Sequence, residues 1–296
     1  MRRAAGGVAC GLVVLLSARA ACAGSWDHLT EQLVRDGVPR AAVRAAFGDP
    51  RMPRFDRLEF SLAPRESRAM YRGFLAPRSL AQARACRARY DAAYRAAEAR
   101  FGVRASVLSA LLHVETHCGT NTGREMVLYR LARLAMADEP ANVRHNITRH
   151  TRGVPRPLAE GVAARTRRRA RELAALFYPE VLAVFRIAGP RGLDPLAMRG
   201  SGSGAFGFPQ FLPSSYLRFG VDGDGDGIVS LYDPTDAIFS AANYLAGNGW
   251  RAGMTHAAER RVIWTYNRSD AYIDTVLTVA ERVEQGQPTK RGKRRR

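Results

Sequence analysis

Lysine is almost missing from this 296-residue chain; Lys290 and Lys293 are the only two. Arginine carries the rest of the positive charge, so the bias itself says little, but a net charge of +19 points to anionic partners. Long apolar runs are lacking too. Beyond the first two dozen residues no segment is long and apolar enough to cross a bilayer, which excludes a polytopic membrane protein. Alternating apolar and polar runs are few, no two of them read as a hairpin, and there is no internal repeat. The class is therefore mainly α. His145 and His150 lack metal-ligand spacing and read as surface residues.

What is present begins with an export pattern. Arg2 and Arg3 precede a short apolar run ending in Leu12-Val-Val-Leu-Leu16, and small residues follow in Ala20-Ala-Cys-Ala-Gly24. Residues 1–23 read as a signal peptide cleaved after Ala23, too short to span a membrane. Cys22 leaves a lipid attachment open, although Arg19 stands three before it where lipoprotein signals usually carry Leu. The expected location is the periplasm, soluble or attached through Cys22. Cleavage takes three arginines, from +19 to +16. Residues 284–296 form a basic, disordered tail with six positive charges from Lys290 onward. Behind a signal peptide, its partners are anionic wall polymer or a membrane surface rather than nucleic acid. Cleavage would leave Cys86 and Cys118, in an oxidising compartment, on consecutive predicted helices; a disulfide and two buried thiols both remain open.

Residues 24–78 read as short helices and loops packed on a larger body. Ser79-Leu-Ala-Gln82 is a capping-box pattern, predicting a helix from there to about Arg100. Helical spacing returns over Val127–Ala135, while 138–157 reads as irregular. It resumes at Leu158, with a dense arginine face between Arg165 and Arg171, and Pro179 suits the first turn of a further helix ending before Gly189. Asp233-Pro-Thr-Asp236 opens a helix to about Gly247, and a last one begins near Ser269.

The stretch Ser106-Val-Leu-Ser-Ala-Leu-Leu-His-Val-Glu-Thr-His-Cys-Gly119 predicts a helix ending at Gly119. Glu115 falls on the face of Leu108, Leu111 and Leu112, which belongs in the core. Burial there would raise its pKa, as a general acid working near neutral pH requires. The alternative is an exposed residue at the helix end.

Asp222-Gly-Asp-Gly-Asp-Gly-Ile-Val-Ser-Leu-Tyr-Asp233 matches an EF-hand-type loop. Asp222, Asp224 and Asp226 would supply carboxylates, Gly227 the turn, and Ile228 its carbonyl. Hard oxygen donors favour Ca²⁺, in a structural role. Position twelve is Asp233 instead of the longer Glu, so Asp233 could ligate the cation, or cap the next helix while Asp236 ligates.

Two further stretches suit carbohydrate. Gly200-Ser-Gly-Ser-Gly-Ala-Phe-Gly-Phe-Pro-Gln-Phe-Leu-Pro-Ser-Ser-Tyr216 has small residues for close approach, Phe208 to stack on a sugar face and Gln210 to bond a hydroxyl or acetamido group. It lacks the Lys-Ser/Thr ending of a phosphate loop. Trp264-Thr-Tyr-Asn-Arg-Ser-Asp-Ala-Tyr272 mixes aromatic and amide side chains in the same way.

In this order, Val114-Glu-Thr116, Gly204–Tyr216, the acidic loop, Asp233–Ala237, Ala242-Asn-Tyr244, Gly249-Trp250 and Tyr266–Tyr272 resemble the lytic murein transglycosylase B family. The resemblance covers roughly residues 26–283, weak before 100 and strong from 200 to 272. It implies a mainly α, lysozyme-like catalytic region over 24–283 with one embedded EF-hand-type calcium loop. It assigns Glu115 as the catalytic acid, and Ser201, Gln210, Tyr244, Tyr266, Asn267 and Tyr272 to sugar binding or support of the acid. It implies Ca²⁺ and no organic cofactor. The substrate would be peptidoglycan glycan strands, cut between N-acetylmuramic acid and N-acetylglucosamine to leave 1,6-anhydro ends. Cys118 departs from the pattern where an aromatic is common, and Pro209 replaces a Gly of some members. A hydrolytic muramidase on the same scaffold and a noncatalytic, calcium-stabilised wall-binding protein are the competing readings.

Overall fold

The computed structural model describes residues 25–63, 66–189 and 193–285. The segment expected to be a signal peptide, with Cys22, and the expected tail from residue 286 on lie outside the described residues. The fold is helical, arranged around two apolar cores.

The first core starts with α1 (Asp27–Arg35) and α2 (Arg40–Gly48), which turn Leu29, Leu33, Val43 and Ala46 inward. These pack with α7 (Val127–Ala135), α8 (Pro140–Thr151), α9 (Arg156–Ala188) and α10 (Pro213–Phe219). The α7 bounds are those its apolar spacing predicts. The segment predicted irregular at 138–157 instead contains α8. Its inward residues are Asn142 and Asn146 rather than apolar ones, so periodicity does not reveal it. Asn142 Oδ1 accepts from Leu58 N at 2.8 Å, and Asn146 Nδ2 donates to Leu58 O at 2.8 Å. Those bonds dock the extended 54–63 segment onto the helix. His150 is half-buried, its ring near Thr166 Oγ1 and Phe60 O. The two helices expected around Pro179 are one, 33 residues long with the proline inside. A proline there costs about 3 kcal/mol in isolation. Buried Phe177, Val181, Val184 and Phe185 on either side offset it.

The second core joins α4 (Pro77–Arg89), α5 (Asp91–Phe101), α6 (Ala105–Thr116), α11 (Pro234–Gly247), α12 (His256–Tyr266) and α13 (Asp270–Gln285). A short α3 (Arg68–Tyr71) and a 3-10 turn (Arg72–Leu75) pack on it. The single helix expected over 79–100 is two, broken at Tyr90. Pro77 starts α4 two residues before Ser79. Ser79 is therefore no cap: its hydroxyl is buried 2.8 Å from His113 Nε2. The α12 helix, not anticipated from sequence, is capped by Thr255, which accepts from Ala258 N.

One two-stranded ladder, β1 (Glu125–Met126) with β2 (Arg199–Gly200), pins the chain after α6 to the glycine-rich loop. Tyr244 and Tyr266 pack against both cores. The candidate site lies where the two meet.

Candidate active site

Every residue of α6 is buried except Glu115. The helix is central, so its one carboxylate sits at the foot of a cleft, with a small opening to solvent but protein atoms on nearly all sides. Tyr272 of α13 donates its hydroxyl to Glu115 Oε1 at 2.5 Å. Burial raises the Glu115 pKa from 4.5 to about 7; the Tyr272 bond opposes this and the charge of Glu66 adds to it. Desolvation wins, so Glu115 holds a proton near neutral pH.

The helix stops at Thr116, three residues before the expected Gly119. His117 and Cys118 both adopt left-handed backbone, with φ of 49° and 57°. His117 N bonds His113 O, and Cys118 N bonds Leu112 O, so two nested bonds close the helix end with a left-handed histidine where glycine is usual. A cap without glycine there leaves little mark in the sequence. Cys118 forms a disulfide with Cys86 of α4, which ties the end of the Glu115 helix to its neighbour. Gly119 lies under the Phe208 ring; a Cβ there would come 2.0 Å from Phe208 Cζ. Thr116 Oγ1 donates to Phe208 O at 3.0 Å. Phe208 is thus held against the end of α6 and is half-buried.

The other sequence-derived residues divide into cleft groups and braces. Tyr266 stacks on Tyr272, with centroids 6.4 Å apart and planes 7° apart, and its hydroxyl bonds Pro209 O. That anchors the loop carrying Gln210. Gln210 has φ of 48° and spends both Nε2 hydrogens on Thr122 O and Gly207 O, so it can offer a ligand its Oε1. Tyr244 donates to Thr265 O at 2.7 Å and packs on Tyr266. Ser201 Oγ accepts from Ser203 N and Ala205 N, bracing its own loop. Asn267 lies at the mouth of the cleft, its Nδ2 3.5 Å from Glu66 Oε1.

Two members of the site escaped the sequence reading. Tyr71 of α3 faces the cleft edge-on to Tyr272, with centroids 6.0 Å apart. Its hydroxyl donates to Glu66 Oε2 at 2.5 Å. Burial raises the Tyr71 pKa, followed by the Glu66 bond and the charges of Glu66 and Glu115. The stretches that carry the family resemblance offer no second acid apart from the aspartates of the acidic loop, yet the fold brings Glu66, which lies outside them, beside Glu115. Both lie in a short, irregular segment with no periodic signal.

In the acidic loop, carboxylate oxygens of Asp222, Asp224 and Asp226 lie within 4.8 Å of one another, as do those of Asp224, Asp233 and Asp236. Asp233 caps α11, its Oδ1 accepting from Thr235 N and Asp236 N. Buried Asp236 accepts from Gly223 N and Ser230 N, one bond per oxygen, and so ties both ends of the loop together. Ile228 holds the loop through its N–H to Asp226, with an exposed side chain. The Asp226 N–H pulls the Asp224 carboxyl down, but burial and the charges of Asp226, Asp236 and Asp233 together push it up. An all-oxygen, mutually repelling set suits a hard cation.

A helical body with a desolvated acid at the end of a central helix, at the foot of a tyrosine- and amide-lined cleft, is the lysozyme-like fold. Residues 22–261 match the family described as Transglycosylase SLT domain, and the chain belongs to that family. It is 53% identical over 60 residues to membrane-bound lytic murein transglycosylase B of Escherichia coli (strain K12); that match spans 20% of this chain and 17% of the relative. The E. coli lytic transglycosylase SLT35 in complex with bulgecin A superposes with TM-score 0.67 at 21% identity, covering 89% of this chain and 93% of that one. Pseudomonas aeruginosa SltB3, in complex with NAG-anhNAM-pentapeptide, gives TM-score 0.64 at 21% identity over 88% of this chain and 78% of that one.

Proposed function

We propose that this chain is a lytic transglycosylase of peptidoglycan, cutting between N-acetylmuramic acid and N-acetylglucosamine without adding water. The desolvated Glu115, protonated near pH 7 and bonded by Tyr272, carries this reading. Tyr272 occupies Oε1, so the proton sits on Oε2 and passes from there to the glycosidic oxygen. As the carboxylate forms, the Tyr272 bond becomes charge-assisted and strengthens. The muramic acid C6 hydroxyl then attacks C1, and Glu115 takes back a proton from it. The leaving sugar ends as an alcohol and the muramic acid as its 1,6-anhydro form. The relatives named above, one solved with an anhydro-sugar pentapeptide, support the same substrate class.

Glu66 favours a second reading. Enzymes that hydrolyse glycosides use two carboxylates, and a base at Glu66 would make the chain a muramidase. Both Glu66 oxygens are already engaged by Tyr71 and Asn267, which favours the anhydro route. Mass analysis of fragments released from purified sacculi decides. Anhydro ends, one water lighter than reducing ends, are expected; reducing ends throughout would overturn the proposal.

The acidic loop is read as a structural Ca²⁺ site, with Asp222, Asp224 and Asp226 as ligands and Asp233 and Asp236 holding the loop. SLT35 has been solved in complex with calcium, at TM-score 0.62. A cation bound at a hundred times its Kd stabilises by about 2.7 kcal/mol. Adding Ca²⁺ should therefore raise Tm by several degrees and excess chelator should reverse it, with the cleavage products unchanged. An identical Tm in both conditions would count against the site.

Residues 1–23 are proposed to direct export, with Cys22 as an alternative lipid anchor. One relative is described as membrane-bound. Among the described residues no helix is long and apolar enough to cross a membrane. The basic tail is proposed to hold the enzyme near anionic wall polymer or a membrane surface.

A further inference from the structure

Two side chains outside α6 act on Glu115, Tyr272 from α13 and Glu66 from the chain entering α3, and the Glu115 charge is felt in turn by Tyr71 of α3, Tyr266 of α12 and Tyr272. The tyrosines are neutral, because burial raises the pKa of each. On α6 itself, His113 turns toward Ser79 and Phe74, away from the acid, and burial lowers its pKa to about 4. His117, beyond the helix end, stacks on Phe74 at 5.0 Å. Glu66 therefore supplies the charge that reaches Glu115. Its two oxygens face different elements: Oε2 accepts from Tyr71 at 2.5 Å, and Oε1 lies 3.5 Å from Asn267 Nδ2, just past the end of α12. Nothing else in the proposed reaction uses this carboxylate.

We propose that Glu66 is a positioning residue: it ties Tyr71 to Asn267 across the cleft and sets a fixed negative charge beside Glu115. This rests on Glu115 being the acid. Its physical basis is direct. A nearby like charge disfavours the Glu115 carboxylate, so the acid keeps its proton to higher pH. The tie also holds the Tyr71 ring edge-on against Tyr272, the residue that bonds Glu115. A carboxylate serving as general base would have to give up at least one of these partners to a water or a sugar hydroxyl, and Tyr71 with it.

The experiment is the pH profile of kcat/KM on a soluble peptidoglycan oligosaccharide, for wild type, Glu66→Gln, Glu66→Asp and Tyr71→Phe. Activity needs protonated Glu115, so the wild-type profile falls as pH rises through about 7. Removing the Glu66 charge eases ionisation of Glu115. The falling limb of Glu66→Gln should move down by about half a pH unit, a loss of about threefold at pH 8 beyond any loss at pH 5. Glu66→Asp keeps the charge, and its limb should stay near the wild-type position. Tyr71→Phe breaks the tie but not the charge; it should lower kcat/KM with the limb unmoved. The limb's position is independent of how much folded enzyme is present, so a partly destabilised variant still reports.

A Glu66→Gln limb at the wild-type pH would overturn the proposal. So would loss of all activity at every pH in a folded Glu66→Gln protein, since that marks a catalytic base. Glu115→Gln separates this inference from the reading beneath it. Full activity in that variant refutes Glu115 as the acid. An inactive Glu115→Gln with an unshifted Glu66→Gln limb refutes the role of Glu66 alone.

Discussion

Glu115→Gln is expected to abolish lysis of sacculi, by about 10³-fold or more, and to make the protein more stable at pH 8. The first effect follows from the dual role proposed for Glu115. General acid and general base assistance each contribute about 10²–10⁴-fold, and a glutamine can supply neither. The amide keeps the size of the side chain and an oxygen for Tyr272 to bond, so the cleft should survive. The second effect follows from the raised pKa. Between pH 4.5 and about 7 the unfolded chain releases the Glu115 proton while the folded chain retains it. Stability attached to this group is therefore present below 4.5, falls as pH rises through that window, and is gone above about 7. The loss is at most about 3.5 kcal/mol, from roughly 1.4 kcal/mol per pH unit over the window from 4.5 to about 7. Glutamine has no proton to lose and escapes it. Calorimetry at pH 8 should show a higher Tm for the variant, by several degrees at about 2–4 °C per kcal/mol, with the two proteins converging near pH 4. Wild-type lysis by the variant would remove Glu115 from the mechanism. Equal melting temperatures at both pH values would show that its carboxyl is not desolvated.

Gly123→Ala should be the most damaging small substitution near the cleft, costing about 3–5 kcal/mol. Gly123 has φ of +89°, where a side chain is strained in any surroundings. The surroundings are worse than the strain. A Cβ there would lie 2.1 Å from Gly200 O and 2.7 Å from Ser201 N, both backbone atoms. That backbone cannot retreat, because β2 is paired with β1 and Ser201 N bonds Ala205 O at 2.8 Å. The strip must part, and Gln210, tied by Nε2 to Thr122 O next to it, loses its anchor. A fall in Tm of around ten degrees, with loss of lysis, is the expected result. A fall of a degree or two would show that the ladder yields more easily than its bonding implies.

The parts of the site that were legible in the sequence are those where apolar spacing frames an exception. Glu115 stands out because Leu108, Leu111 and Leu112 share its face, and all three are buried. The bounds of α7, and the opening of α11 after Asp233, were readable for the same reason: periodicity and a capping side chain agree there. What was hidden depends on contacts between distant segments. Tyr71 and Glu66 belong to a four-residue helix and its approach, too short for any period. The inward face of α8 is amide rather than apolar, and the left-handed His117 and Cys118 use residue types that favour no such turn. Ser79 looked like a cap because its neighbours fit a local pattern, but a buried histidine 34 residues away claims its hydroxyl.

The bond between Tyr272 and Glu115 joins residues 157 apart in the chain. Closing so long a loop comes late in folding, after the local helices have formed. The partner helix α13 is also the last element of the described chain, and so the last of them to be synthesised. Until it docks, Glu115 lacks the wall that keeps it dry, and it titrates as an ordinary surface carboxylate, ionised at neutral pH. The proposed activity thus needs α13 in place, and a product truncated before residue 270 would keep Glu115 but not the raised pKa that lets it serve as the acid.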